Sequence, residues 1–330
     1  MTVWQIAAGS LGRNYTDRFI RHGIAFVGGD AFCRTMNEQV QLGDKVILKR
    51  GTGQIVAVGE VVERAGQFKG DGNKDWLRDF DGWDLSAWCY VDWHVPDTPV
   101  QINGLTRTTI QRVGQGHLLA EVDRIPGNVP RRTVYDPEPP STQPVGDDAL
   151  ISRLIELGLR PGAAEELTQA LRRIRLLAKF YLGRNWDLTN EHDARTFLVV
   201  PLLLALGWAE QRMNVEMAVP GVGRADIGCF SKPIRGTDDQ CVLLIETKSL
   251  SQGLDYAPDQ AHQYATGLPA CSVVLVTNGY CYKAYERTGN TFSTRPSAYL
   301  NLMNPRDQYP LDPLNVGGAL KVLELLLPRG

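Results

Sequence analysis

Two stretches decide how this chain reads: Gly223-Arg224-Ala225-Asp226-Ile227-Gly228-Cys229-Phe230 and Cys241-Val242-Leu243-Leu244-Ile245-Glu246-Thr247-Lys248. The first alternates, as a strand with one covered face does. The second is an apolar run ending in charge, the pattern of a strand buried on both faces. Glu246-Thr247-Lys248 is the only acidic-x-Lys triplet in the sequence. Two charges at the tip of a buried strand need a reason, because an ionised group taken out of water is costly unless paired. Side chains repeat every two residues along a strand, so Glu246 and Lys248 are expected on one side and Thr247 on the other. An acid on one strand, with an acid and a lysine on the next, suits phosphodiester hydrolysis. Carboxylates are hard ligands for Mg²⁺, and the ammonium group can orient water and offset anionic charge. The expected metal ligands are Asp226, Glu246 and the Thr247 carbonyl. Glu191, in the first turn of the preceding helix, would ligate the metal or a water on it.

Helical spacing surrounds these strands. Helices are expected at 149–157 and 163–182, the second with Leu167, Leu171, Ile174, Leu177 and Phe180 on one side. Thr189 or Asn190 caps a further helix running to about Leu206 and ended by Gly207. Strands at 214–219, 224–230 and 241–247, a helix near 258–266 and strands at 272–277 and 280–287 complete the order α-β-β-β-α-β-β.

Five pieces in this order resemble the PD-(D/E)xK nuclease superfamily, and within it the N-terminal nuclease domain of type I restriction motor subunits. They are Asn190-Glu191 with Phe197 to Leu203 and Leu206-Gly207-Trp208, then Gly223 to Asp226, Ile245 to Lys248, Gln260-Ala261-His262-Gln263-Tyr264-Ala265 and Leu275 to Tyr280. The resemblance implies a Mg²⁺-dependent nuclease, with Mn²⁺ able to substitute. Asp226, Glu246 and Lys248 would be catalytic, assisted by Glu191, with Gln260 and Tyr264 supporting the site or the DNA. The chain has no Gly-rich GK[ST] loop, so the ATP-driven motor is not expected and no ATP is required.

Residues 1–123 hold five of the seven tryptophans and short apolar runs separated by turn pairs, which predicts a small β-rich domain closed as a barrel. Val3 to Ser10, Gly23 to Phe26, Leu42 to Ile47 and Ile55 to Val61 resemble the EVE and YTH branch of the PUA-like fold, although Phe26 stands where many of these domains carry Trp. The resemblance implies a pocket for a modified base, walled by Ser10, Phe26 and Trp83 with Tyr15 and Trp88 nearby. A base taken out of its duplex is held by aromatic faces and by hydrogen bonds to its edge. Lys45, Lys49 and Arg50 form the clearest local basic cluster for a phosphate backbone.

The fold class expected is therefore α+β in two domains: a PUA-like β-barrel, then a restriction-endonuclease-like α/β core with a mixed central sheet. The divisions are 1–123 for the reader, 124–146 as a linker, 147–188 as a helical connector and 189–330 as the nuclease. The linker holds six prolines. As a stiff extended tether it would reach ~60 Å, or ~18 base pairs.

With a net charge of -2 no bulk electrostatic grip on nucleic acid is visible, so any DNA contact is expected to use local basic patches. The six cysteines lack CxxC or zinc spacing and read as reduced, buried residues. No stretch has a signal-peptide or membrane-span pattern, and a cytoplasmic location is expected. Together these readings predict an endonuclease for double-stranded DNA carrying a modified base. It would be homodimeric through the 163–182 helix, because a double-strand cut needs two active sites. The alternatives are a nuclease indifferent to modification and an inactive nucleic-acid-binding module.

Overall fold

The computed structural model of the chain describes residues 1–9, 13–182, 190–219, 221–234, 240–255 and 257–328. Contacts divide it into two compact units, Met1–Pro139 and Pro140–Gly330. Each is built from helices and one mixed sheet, and no described helix is long and apolar enough to cross a membrane.

The strands of the first unit are β1 (Val3–Ala7), β2 (Ile24–Val27), β3 (Lys45–Arg50), β4 (Gln54–Val61), β5 (Lys69–Asp71), β6 (Ala87–His94), β7 (Val100–Gln101) and β8 (Ile110–Arg112). Its helices are α1 (Thr16–His22), α2 (Asp30–Gln39), α3 (Asp75–Arg78) and α4 (Gly116–Asn128). The strand path is β2-β6-β4-β3-β1-β8, with β1 and β3 parallel. Among the described residues no pairing joins β2 to β8, so the hydrogen-bonded strand path does not complete the closure expected of a barrel. The Gly43-Asp44 turn before β3 has a clear basis. Gly43 takes φ +80°, and buried Asp44 accepts from the Thr2 and Gln41 amides and from Trp4 Nε1.

The linker expectation is corrected. Leu118, Val122 and Ile125 form one apolar side of α4 and pack on Ile47, Ile55 and Val58, so the helix continues through Pro126 instead of ending in a tether. Residues 129–139 are then bonded along the first unit. Arg131 pairs with Asp92, and the Arg132 amide donates to Trp93 O. Glu138 meets Lys74 Nζ at 2.5 Å and Trp76 Nε1 at 3.3 Å. On the far side, Val145 N donates to Pro305 O and Arg306 donates to Thr142 O.

The second unit contains α5 (Asp147–Glu156) and α6 (Pro161–Leu182), then α7 (Glu191–Ala194) running through a π-turn (Arg195–Val199) into α8 (Val200–Ala205). It continues with β9 (Met213–Val219), β10 (Gly223–Phe230), β11 (Cys241–Thr247), α9 (Ala257–Thr266), β12 (Val273–Thr277), β13 (Cys281–Thr288), β14 (Thr291–Phe292), β15 (Ala298–Asn301) and α10 (Ala319–Leu326). The order α-β-β-β-α-β-β read from the sequence is present. The sheet runs β14-β13-β12-β11-β10-β9; β11 and β12 are parallel and α9 supplies their crossover. The cores of β11 and β12 are buried on both faces, which explains their unbroken apolar runs.

Candidate active site

Asn190 caps α7, its side chain accepting from Asp193 N at 2.9 Å, and so sets Glu191 at the first helical position. Thr189, the other candidate cap, lies outside the described residues. Four residues on, the helix widens: Val200 N–H reaches back to Arg195 O, an i→i−5 bond. Pro201 supplies a reason, since it has no N–H to give to Phe197 and disfavours regular α geometry before it. Arg195 opens this widened turn.

The antiparallel β10–β11 ladder pairs Ile227 with Ile245, which brings Asp226 and Glu246 together at its end. Glu191, Asp226 and Glu246 each offer a carboxylate oxygen, and these atoms lie within 4.8 Å of one another. Lys248 Nζ stands 2.7 Å from Glu246 Oε1 and 3.5 Å from Glu191 Oε1. The four acidic and basic residues singled out around the triplet therefore converge.

Burial pushes the Glu246 carboxyl up to about 7, against the pull of Lys248. Burial raises Glu191 as well, partly offset by Lys248. Burial alone would lower the Lys248 ammonium, but its bond to Glu246 and the surrounding acids outweigh this and raise it.

Thr247 departs from expectation. Its side chain does not turn away: its amide and its Oγ1 each donate to Asp226 Oδ2 at 2.6 Å. Thr247 is the last residue of β11 and meets this carboxylate where the ladder ends. Gln260 Nε2 donates to Tyr264 Oη at 2.9 Å on α9, and Tyr264 packs over Gly223. A Cβ at Gly223, whose φ is +147°, would come within 3.3 Å of that Oη. The helix motif thus sits against the strand that carries Asp226.

Two site residues escaped the sequence reading. Arg195 is 5 % exposed and donates Nη1 to Asp226 Oδ1 at 2.6 Å. Glu216 on β9 pairs with the same guanidinium. No local motif marks either residue. The only signal was an arginine four residues beyond Glu191, on the same side of a helix.

In the first unit a mostly apolar cavity of about 50 Å³ is lined by Tyr15, Phe26 and Trp83 among others, with Phe19 and Leu85 completing its apolar wall. That is room for three or four waters, or for the edge and substituent of a ring. Arg13 lies 4.1 Å over the Trp83 ring. Ser10 lies outside the described residues. Trp88 is fully buried, donates to Asn73 Oδ1 at 2.7 Å and does not line this cavity.

The basic cluster does not present one face. Lys49 is 2 % exposed and donates to Thr106 O at 2.8 Å, because both faces of β3 are covered there. Lys45 pairs with Glu60 at 2.6 Å, and exposed Arg50 bonds Gln54. Burial lowers the Lys49 ammonium. No protein-family model and no curated protein matches this chain.

Proposed function

We propose that this chain is a divalent-metal-dependent endonuclease for double-stranded DNA carrying a modified base. The observation that carries the reading is the convergence of Glu191, Asp226, Glu246 and Lys248 on the ends of two strands and one helix. The donor set fits the group. All three acids offer hard oxygens, and these lie within 4.8 Å of one another, near the ~3 Å (adjacent) to ~4.2 Å (opposite) separations of ligands around an octahedral Mg²⁺ at ~2.1 Å. Asp226 and Glu246 would hold the ion, with Glu191 reaching it directly or through water. Bound there, the cation would polarise the phosphodiester and activate water.

The chain's own groups do the rest. Thr247 and Arg195 fix both oxygens of Asp226. Lys248 is positioned to hold a water oxygen and to offset charge on the phosphate. Tyr15, Phe26 and Trp83 would receive the modified edge of a base, giving the enzyme its preference. Double-strand cleavage then calls for two copies, and defence against modified foreign DNA is the role such a preference would serve.

The test is digestion of matched duplexes carrying cytosine, 5-methylcytosine, 5-hydroxymethylcytosine or N6-methyladenine, with Mg²⁺ or EDTA. Cutting of one modified duplex, abolished by EDTA, is expected. Equal cutting of all four would remove the modification preference and leave a general nuclease.

A further inference from the structure

Behind Asp226 lies an ion pair that metal binding does not use directly. Arg195 Nη2 reaches Glu216 Oε1 at 2.5 Å and His192 Nδ1 at 3.1 Å, while its buried Nε has no acceptor among the described residues. Two carboxylates, Asp226 and Glu216, thus share one guanidinium.

Glu216 holds this place in an unfavourable backbone conformation. Its φ is +56°, a left-handed value that side chains with a Cβ rarely adopt. Three described non-glycine residues have positive φ, Ala65, Asp81 and Glu216, and only Glu216 lies within a strand. In the β9–β10 ladder it falls between Val215↔Ile227 and Met217↔Ala225, beside Asp226, where no register pair forms. Strain of this kind persists where another interaction over-determines it. The Glu216 side chain is 45 % exposed, yet the residue keeps both the positive φ and a close pair with a buried arginine.

We infer that Glu216 is a positioning residue that takes up part of the charge of Arg195 and so leaves Asp226 with negative charge for a divalent cation. The inference rests on the metal-dependent reading above. With Arg195 bound to Asp226 alone, the two charges would cancel and attraction for a cation would weaken. With both acids on the guanidinium, the group keeps one net negative charge while the arginine fork still fixes Asp226. Loss of Glu216 acts twice in one direction: it removes a negative charge near the site and draws Arg195 more fully onto Asp226.

The experiment is calorimetric titration of the full chain with Mn²⁺, for wild type, Glu216→Gly and Glu216→Gln, with Tm measured in EDTA. Glycine accepts the backbone conformation, so Glu216→Gly should melt at or above the wild-type temperature, by up to roughly 2–4 °C. Its Kd for Mn²⁺ should rise about three- to tenfold. Glu216→Gln keeps the reach and the strain but not the charge; it should bind Mn²⁺ as weakly, with no gain in Tm. Unchanged affinity in both variants overturns the inference. So does a parallel fall in Tm and affinity for Glu216→Gly, which would mark an ordinary structural ion pair. Absence of Mn²⁺ binding by the wild type is a separate result, and it overturns the metal reading itself.

Discussion

Thr247 gives its backbone N–H and its hydroxyl to the same oxygen of Asp226, each at 2.6 Å. A strand end and a carboxylate are thereby tied together, and with Arg195 on Oδ1 the remaining lone pair of Asp226 is aimed rather than left to rotate. Thr247→Val should keep the fold, because the side chain is fully buried and the replacement is nearly isosteric. It removes one charge-assisted hydrogen bond worth about 1.5–3 kcal/mol. Cleavage and Mn²⁺ affinity should fall about tenfold or more, with helical circular dichroism unchanged. Wild-type rates in this variant would show that the Thr247 amide and Arg195 hold Asp226 without the hydroxyl.

The Glu246 carboxyl titrates near 7 in the fold, against 4.5 for its ordinary value, mainly because burial disfavours its charge. A raised acid adds stability that is complete below 4.5 and is lost as pH rises through about 7. Metal-free wild type should therefore lose more Tm between pH 5.5 and pH 8 than Glu246→Gln does. Metal needs the ionised form, so Mn²⁺ affinity in the wild type should weaken as pH falls below about 7. Parallel Tm profiles for the two proteins in EDTA would remove this assignment.

The order of elements in the second unit was legible because its signals are long: buried runs at β11 and β12, and a capped helix after Asn190. The convergence of Glu191, Asp226, Glu246 and Lys248 was legible because strand periodicity and one helix start place all four. Glu216 and Arg195 were not. Their meeting depends on the β9–β10 register and on a π-turn, neither of which has a local sequence signature. Lys49 was not legible as a buried residue for a related reason: its neighbours Lys45 and Arg50 suggest a local basic cluster, whereas both faces of β3 are covered. The prolines after Arg124 suggest a tether by composition, but the i, i+4, i+7 stripe of Leu118, Val122 and Ile125 packs on the sheet and carries the helix through Pro126.

That stripe predicts where the chain can be divided. A fragment 1–123 ends within α4 and discards Ile125, 1 % exposed, together with the Glu138–Lys74 pair. It should be less stable than fragment 1–139 by ~2 kcal/mol or more. Urea denaturation of the two fragments measures this, and equal midpoints would show that residues 124–139 are dispensable.

Few residues remain to act as a tether. Glu138 is bonded to Lys74, and Thr142 accepts from Arg306. Bonded in this way, the segment does not form the free proline-rich linker with a ~60 Å reach expected from the sequence. Sequencing the ends cut from a duplex with one modified base should give a narrow spread of positions. A broad smear would mean that the segment 129–139 detaches.

The aromatic cavity makes a separate demand. Trp83 lines it and is only partly buried, so Trp83→Ala should remove a stacking face worth about 1–3 kcal/mol to a base while sparing the core. Gel-shift titration of fragment 1–139 should show modified and unmodified duplexes bound alike by this variant. Undiminished preference would place recognition elsewhere on the unit.

The most direct measurement is single-turnover cleavage of the preferred modified duplex in Mg²⁺ by wild type, Asp226→Asn and Glu246→Gln. Each substitution keeps the shape of the side chain and removes one metal-binding charge. Wild type should cut, EDTA should stop it, and each variant should fall by about three orders of magnitude or more while remaining folded. Wild-type rates in either folded variant would contradict a catalytic centre built on these carboxylates.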